Sequence, residues 1–378
     1  MTTAAVRDRA PEVRDSRRST GIVLAIVLVL IFVLITAVYA FQRRAIIDTS
    51  IATNRLRGAE ADALARGGLR IGEAILYLAR LKQAAGAAGA PGEGLGSGNA
   101  SLPPGDLWAS IGDFPLQLEG GRTLRITIED EGARLNLNAL VPQNEEQSTA
   151  SSEEAEEYLS LVLEYIIDGI DALSQDKNYD ARAISAHLLD YMDPDEDARM
   201  GGDENSYYRN QDPPYVARNG PFLSFDEIGL VEGVDPQLLE AMRDYLTVHP
   251  IGGSQGINLN RAEPWVLSIV YAGTSGDREL VREQTVRDIY ALRAKSKIIC
   301  SVAASDPARC VIPGEVGTGE LAEGSIYPQT DLPAKPTVFR VVAEAKVGPM
   351  TRRMEAIYDT RPREGPQLLS WRRLRGSD

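Results

Sequence analysis

The run Asp193-Pro194-Asp195-Glu196-Asp197-Ala198-Arg199-Met200-Gly201-Gly202-Asp203-Glu204 places Asp193, Asp195, Asp197 and Glu204 at relative positions 1, 3, 5 and 12. That is the carboxylate spacing of a calcium-binding helix–loop–helix segment. Position 6 of such a loop is glycine, for the sharp turn, and here it is Ala198. No flanking helix pair of that kind is evident either, so the motif as such is not predicted. The spacing does predict that several carboxylates can converge on one hard cation, because acidic groups held together without one repel each other. Asp190 and Asn205 are further candidate ligands. Two other readings of the same residues stay open: a solvated acidic loop, and a pair of carboxylates for general acid/base work.

The rest of the chain offers little else for chemistry. His187 and His249 are the only histidines, and Cys300 and Cys310 the only cysteines. This is scant material for a histidine-based triad and none for an ordinary Cys/His zinc site. Paired carboxylates can hydrolyse glycosides, but that chemistry uses a cleft with aromatic platforms, and aromatics make up only 6% of the chain. The net charge of -14 argues against a nucleic-acid partner, which needs a basic face. The acid is concentrated: from Gln143 to Asn205 there are 18 Asp/Glu against 3 Lys/Arg.

The elements that would position these residues begin with an apolar run. Gly21 to Gln42, GIVLAIVLVLIFVLITAVYAFQ, carries no charge, and about 20 apolar residues suffice to cross a bilayer as a helix. It is longer than a signal-peptide core and lacks a small-x-small cleavage site, so a retained single-pass anchor is expected. Arginines flank both ends and leave orientation undecided. If the remainder is extracytoplasmic, Cys300 and Cys310 can form a disulfide; two free buried thiols are the alternative.

Helical patterning continues to about Gln83 through Leu64, Ile71, Ile75 and Leu78, weakened but not ended by Gly58, Gly67, Gly68 and Gly72. Residues 86–106 are glycine-rich and read as a linker. In RTLRITIED, Leu124, Ile126 and Ile128 alternate with polar residues as a half-buried strand. A last hairpin is expected over 336–360, with Phe339, Val341, Ala343 and Ala345 on one face and Gly348-Pro349 at the turn, followed by a basic tail, 361–378. One sheet, begun within 107–141 and completed by that hairpin, then carries a large and mostly helical insertion, 142–335. Expected helices there include SSEEAEEYLSLVLEYIIDGIDAL, DARAISAHLLDYM, PQLLEAMRDYL, EPWVLSIVYA and ELVREQTVRDIYALRAK. RLNLNAL at Arg134 and GINLNRAEPWVL at Gly256 form a weak internal echo, each an expected short strand bracketed by asparagines. The segment FLSFDEIGLVEGVDPQLLEAMRDYLTV has a helix–Gly–helix character shared with DNA-binding hairpins, but Glu232 and Asp235 at its turn would repel phosphate; a structural module is expected.

With these stretches in hand, the chain resembles the K-type minor pseudopilins of type II secretion systems. The likeness rests on the apolar helix after Arg17-Arg18, RITIEDEGARLNLNAL, INLNRAEPWVL, LLSW at Leu368, and above all LLDYMDPDEDARMGGDENSYYRNQDPPYVARNGPFLSFDEIGLVEGVDPQLLEAMRDYLTV. The resemblance implies an α+β fold of pilin type: a long N-terminal helix on a small antiparallel β-sheet, with an inserted α-helical, SAM-like domain in two halves, about 142–250 and 251–335. It implies a leader, 1–21, cut after Gly21 by a prepilin peptidase so that Ile22 becomes the first mature residue, with 22–42 in the inner membrane, 43–85 as the periplasmic part of the helix, and the bulk of the chain in the periplasm. It implies I- and J-type minor pseudopilins and the major pseudopilin as partners, no enzyme activity, calcium in the inserted domain, and a place at the pseudopilus tip, where the chain primes and caps the fibre. Most pilin-like subunits carry Glu at the fifth mature position; here it is Ile26, an absence that the K-type family shares and that fits a tip subunit with no neighbour above it. The competing expectations are a membrane-anchored helix-hairpin-helix DNA receptor and a calcium-dependent anchored hydrolase.

Overall fold

The computed structural model describes residues 17–87, 107–141, 152–171, 178–252, 256–301, 310–312, 319–321 and 326–374. Contacts divide the chain into one unit ending at Glu60 and another beginning at Ala61. Most of the expected leader, 1–16, and the expected linker from Ala88 to Asp106 lie outside the described residues.

The first unit is the leading part of helix α1 (Arg17–Ala87). Its apolar side chains face outward: Ile22, Leu24, Leu30, Phe32, Leu34 and Phe41 are each more than half exposed. Three of its hydroxyls bond within the helix. Thr36 Oγ1 donates to the carbonyls of Phe32 and Val33, and Thr49 and Ser50 donate to those of Ala45 and Ile46. At 1.5 Å per residue, Gly21–Gln42 is roughly 33 Å long, close to the ~30 Å of a hydrocarbon core. The helix is long and apolar enough to cross a membrane, and it fits a single-pass anchor.

In the second unit, α1 from Ala61 onward lies on a five-stranded antiparallel sheet. The strands are β1 (Leu116–Leu118), β2 (Arg122–Asp130), β3 (Val338–Val347), β4 (Met350–Asp359) and β5 (Gln367–Leu374), in that spatial order. Each pairs antiparallel with the next. Ala65, Leu69, Ile75 and Leu76 of the helix bury against Leu124, Ile126, Val341, Ala343, Met354 and Ala356 of the sheet. The helix glycines set the spacing. A Cβ at Gly68 would stand 2.8 Å from Ala343 Cβ, and one at Gly72 would stand 2.5 Å from Val341 Cγ1. Helix and sheet approach this closely because those two positions carry no side chain.

Within the expected basic tail, 361–378, residues Gln367–Leu374 instead form the edge strand β5, and 375–378 lie outside the described residues. The reason is charge pairing across the ladder. Arg372 lies opposite Glu355 and donates to it at 2.7 Å, while Arg373 donates to Asp62 of α1 at 3.0 Å. Two of the arginines that made this stretch look like a solvated tail, Arg372 and Arg373, are strand positions with partners.

The insertion between β2 and β3 holds helices α2 (Ser152–Asp171), α3 (Ala181–Met192), α4 (Pro236–Met242) and α5 (Glu283–Ala294). Buried residues from both expected halves, from Leu135 and Leu163 through Ile289 and Leu332, form one continuous core. EPWVLSIVYA is not one helix. It turns helically only over Pro264–Leu267, and Tyr271–Thr274 then pairs with Asp277–Leu280 as a hairpin. Stacking decides this: Tyr271 lies on Tyr158 of α2 with ring centroids 4.6 Å apart, and Gly276, at φ 85°, closes the turn. The same hairpin takes Glu279 and Leu280 from the start of the expected last helix, which begins at Glu283.

The two echoing Asn-x-Asn segments do the same job twice. Asn136 accepts from the Asn138 amide, and Asn258 accepts from the Asn260 amide. Asn138 then clamps Phe222 through both its N–H (2.8 Å) and its C=O (2.9 Å). Asn260 clamps Ile299 in the same way, at 2.7 and 2.9 Å. Only Leu135–Asn136 of the first segment is a strand, parallel to Leu246–Thr247, and the second segment is not a strand. Asn258 also donates to Asp130 at the end of β2, tying insertion to sheet.

Candidate cation site

Helix α3 carries the acidic run out of the core. Asp180 caps its start by accepting from Ala183 N, and Ile184, Leu188, Leu189 and Met192 are buried. Asp190 sits in its last turn and Asp193 is its C-terminal cap. Both are buried, at 3% and 7% exposure, and both stand at the negative end of a helix dipole, the wrong end for carboxylates.

The loop beyond is closed by its own main chain. Asp195 accepts from Asp197 N at 2.9 Å, and Asp197 pairs antiparallel with Asp203. Gly201 and Gly202 turn the chain with φ 78° and 101°. Asp203 accepts from Asn205 N and binds Arg209 at 2.5 Å. Asn219 Nδ2 donates to the Asp195 carbonyl at 2.6 Å.

Of the residues singled out from the sequence, Asp190 and Asp193 share the guanidinium of Arg199, and Asp190, Asp193 and Asp195 are near enough to Glu204 to act on it electrostatically. Burial lifts the Glu204 carboxyl to about 7, and the charges of Asp193, Asp190, Asp195 and Glu196 add to it. Burial likewise lifts Asp193 to about 6, against the pull of Arg199. Asp197 contributes its main chain, and its carboxylate is exposed. Asn205 uses its side-chain oxygen to accept from Ala217 N at 2.7 Å, so that oxygen organises the loop.

Three acid oxygens are left over. Among the described residues, Glu204 Oε1 and Oε2 and Asp193 Oδ1 are each shut off from solvent with no hydrogen-bond partner. An unpartnered buried charge costs several kcal/mol. Hard oxygen donors with that deficit fit a calcium ion. No three His, Cys, Asp or Glu side chains among the described residues stand at ligating positions.

One residue of the run went unweighed in the sequence reading: Arg199. Its Nε lies 3.1 Å from Asp190 Oδ1 and its Nη2 2.8 Å from Asp193 Oδ2. Its Nη1 donates to Ser152 Oγ at the start of α2. A lone arginine inside an acidic run was the available signal.

The remaining expected sites are placed as follows. Gly21, Ile22 and Ile26 lie on exposed α1, and a side chain at Gly21 would meet nothing. Cys300 and Cys310 are joined, with Cα atoms 5.8 Å apart, next to the parallel pairing of Ile298–Ile299 with Cys310–Val311. At the helix–Gly–helix turn, Asp235 accepts from Gln237 N, Leu238 N and Tyr179 Oη. The amides a phosphate would need there are already bonded to a carboxylate.

A family model for the type II secretion system protein K matches residues 133–251, which include this whole acidic loop. A protein of Escherichia coli strain K12 assigned as type II secretion system protein K is 28% identical over 145 residues, 38% of this chain and 41% of that protein. The type II secretion system protein K of Pseudomonas aeruginosa is 25% identical over 281 residues, 73% of this chain and 74% of that protein. The chain thus spans about two fifths of the first relative's length and about three quarters of the second's. The solved GspK-GspI-GspJ complex from the enterotoxigenic Escherichia coli type 2 secretion system matches at TM-score 0.44 and 17% identity, covering 88% of this chain and all of that one. Over residues 133–251 the chain thus matches the type II secretion system protein K domain, and it is similar in sequence to proteins of that family.

Proposed function

We propose that the chain is a non-catalytic minor pseudopilin that sits at the tip of the type II secretion pseudopilus, where it primes and caps a fibre driving protein export across the outer membrane. The observation that carries this reading is the apolar, uncharged stretch of α1 from Gly21, whose residues Ile22 to Phe41 are exposed among the described residues. Such a surface needs lipid before assembly and neighbouring helices after it. The inner membrane would hold the helix and the periplasm the domain with the sheet. A prepilin peptidase would cut after Gly21. The partners would be I- and J-type minor pseudopilins, as in the solved complex that holds GspK with GspI and GspJ, together with the major pseudopilin. The inserted domain supplies the bulk that keeps a further subunit from adding.

Within that domain, Glu204 and Asp193, with Asp190 and Asp195 beside them, would hold a calcium ion. The ion supplies positive charge to oxygens that lack it and so stiffens the loop between Asp193 and Asn205. Two measurements test the proposal. Co-expression with a prepilin peptidase should shorten the wild-type chain and leave a Gly21→Val variant at full length. Co-expression with I- and J-type proteins should yield a complex that copurifies from detergent. A full-length wild-type band in the presence of active peptidase would overturn the pseudopilin reading.

A further inference from the structure

We infer that Arg199 is the resident counter-cation of the acidic loop and competes with a bound divalent cation for Asp190 and Asp193. The inference rests on the cation reading of this site.

Asp190 and Asp193 are spaced three residues apart at the carboxyl end of α3, so they share a face and the helix dipole opposes both. Something positive has to hold them, and the guanidinium of Arg199 touches both. The Arg199 main chain adds to this by donating its own N–H to Asp190 Oδ2 at 3.2 Å. Arg199 is itself mostly buried, with 18% of its side chain exposed, so its charge acts at close quarters and is little screened.

The distribution of free oxygens argues for competition rather than coexistence. Only Asp193 Oδ1 and the two Glu204 oxygens are unpartnered in the group. A calcium ion takes six to eight oxygens. The other acid oxygens of Asp190 and Asp193 are held by Arg199, through its guanidinium and its main-chain N–H. A cation that recruits them has to take them from the guanidinium, and two positive groups sharing one pair of carboxylates repel each other. The same guanidinium reaches Ser152, the first residue of α2. Arg199 therefore fastens the loop to α2 in the cation-free chain, and loading the site loosens that tie.

The test titrates calcium chloride into chelator-stripped full-length protein in detergent, comparing wild type with Arg199→Gln and Arg199→Lys by calorimetry, with thermal melts in chelator alongside. Arg199→Gln removes the competing charge and should bind calcium about tenfold tighter, while melting lower than wild type in chelator. Arg199→Lys keeps a charge but loses the planar fork that spans two carboxylates, and should fall between the two. The lysine variant keeps the test decisive should the glutamine variant not fold. If the folded variants bind calcium no tighter than wild type, Arg199 is a positioning residue and the inference is overturned while the cation reading stands. If wild type itself takes up no calcium, the cation reading fails and the inference with it.

Discussion

Glu204 is a carboxylate that has lost water without gaining a donor, and its neighbours are other acids. Replacing it with glutamine removes the unpaired charge but keeps the shape. In chelator, Glu204→Gln should melt at or above wild type. In calcium, the stabilisation expected of wild type should shrink, with the two melting temperatures differing by about 2–4 °C for each kcal/mol of lost cation binding. Equal calcium-induced shifts in the two proteins would remove Glu204 from the ligand set. His249 offers a second check at the same scale. It is 5% exposed with Nδ1 unpartnered, and burial pushes its imidazole below 6.5, against the opposing pull of Glu131 and Asp359. A lowered folded pKa means that the neutral ring belongs to the fold. The stability tied to it is present above the unfolded value near 6.5 and is lost as pH falls through that value towards the folded one. Asp130, lifted by burial to about 6, works in the opposite sense in the same window. The measurement is therefore the difference between His249→Gln and wild type: the wild-type melting temperature should fall further between pH 7.5 and 5.5 than that of the variant. Carboxylate spacing was visible in the bare sequence because local order places Asp193, Asp195 and Glu204 on one short loop. The guanidinium that neutralises Asp190 and Asp193 was not, because its reach is set by where α3 ends and where α2 begins.

At the scale of elements, glycine shows what a one-dimensional pattern hides. Gly67, Gly68 and Gly72 all look like defects in a helix, each costing up to about 1 kcal/mol against alanine. In the fold they are unlike. A Cβ at Gly67 would meet nothing, whereas one at Gly72 would stand 2.5 Å from Val341. The same substitution should therefore have opposite signs. Gly67→Ala should raise stability by up to about 1 kcal/mol, and Gly72→Ala should lower it by about 1–3 kcal/mol through overpacking against β3. Chemical denaturation of the two variants checks this, and equal effects would mean that α1 does not lie on β3 at that point. The alternation that marks β2 and β3 was readable because each buries one face under α1. Strand β5 was not, since its side chains are mostly exposed and its arginines look solvated until Glu355 and Asp62 are placed opposite them. The paired asparagines were noticed only as an echo. Their function depends on Phe222 and Ile299, 84 and 39 residues away.

At the scale of the whole molecule, the topology follows from two facts that sequence carries well. A charge-free run long enough for a bilayer stands at the front, and strands of one kind lie on either side of a helical stretch too long to be a loop. How the insertion packs was less accessible, because its core draws on residues from Leu135 to Leu332 at once. The front run makes a prediction that its composition alone forces. Ile26 sits on the exposed apolar surface of α1, 55% exposed within the chain. A glutamate there would be a carboxylate in lipid, costing about 2.5–3.5 kcal/mol on insertion scales unless a neighbour's amine meets it. On the proposed reading, a subunit in the body of the fibre would receive such an amine from the neighbour above. A tip subunit has no such neighbour, so Ile26→Glu should gain nothing and lose that cost. Its recovery in a complex with I- and J-type partners, extracted from membranes and quantified beside Ile26→Leu, should fall about tenfold or more, whereas the leucine variant should match wild type. Because the substitution lies outside the unit that begins at Ala61, the calcium-dependent melting of that unit should not change. If Ile26→Glu assembles as well as wild type, a partner for the carboxylate exists above this subunit, and the chain occupies the body of the fibre rather than its end.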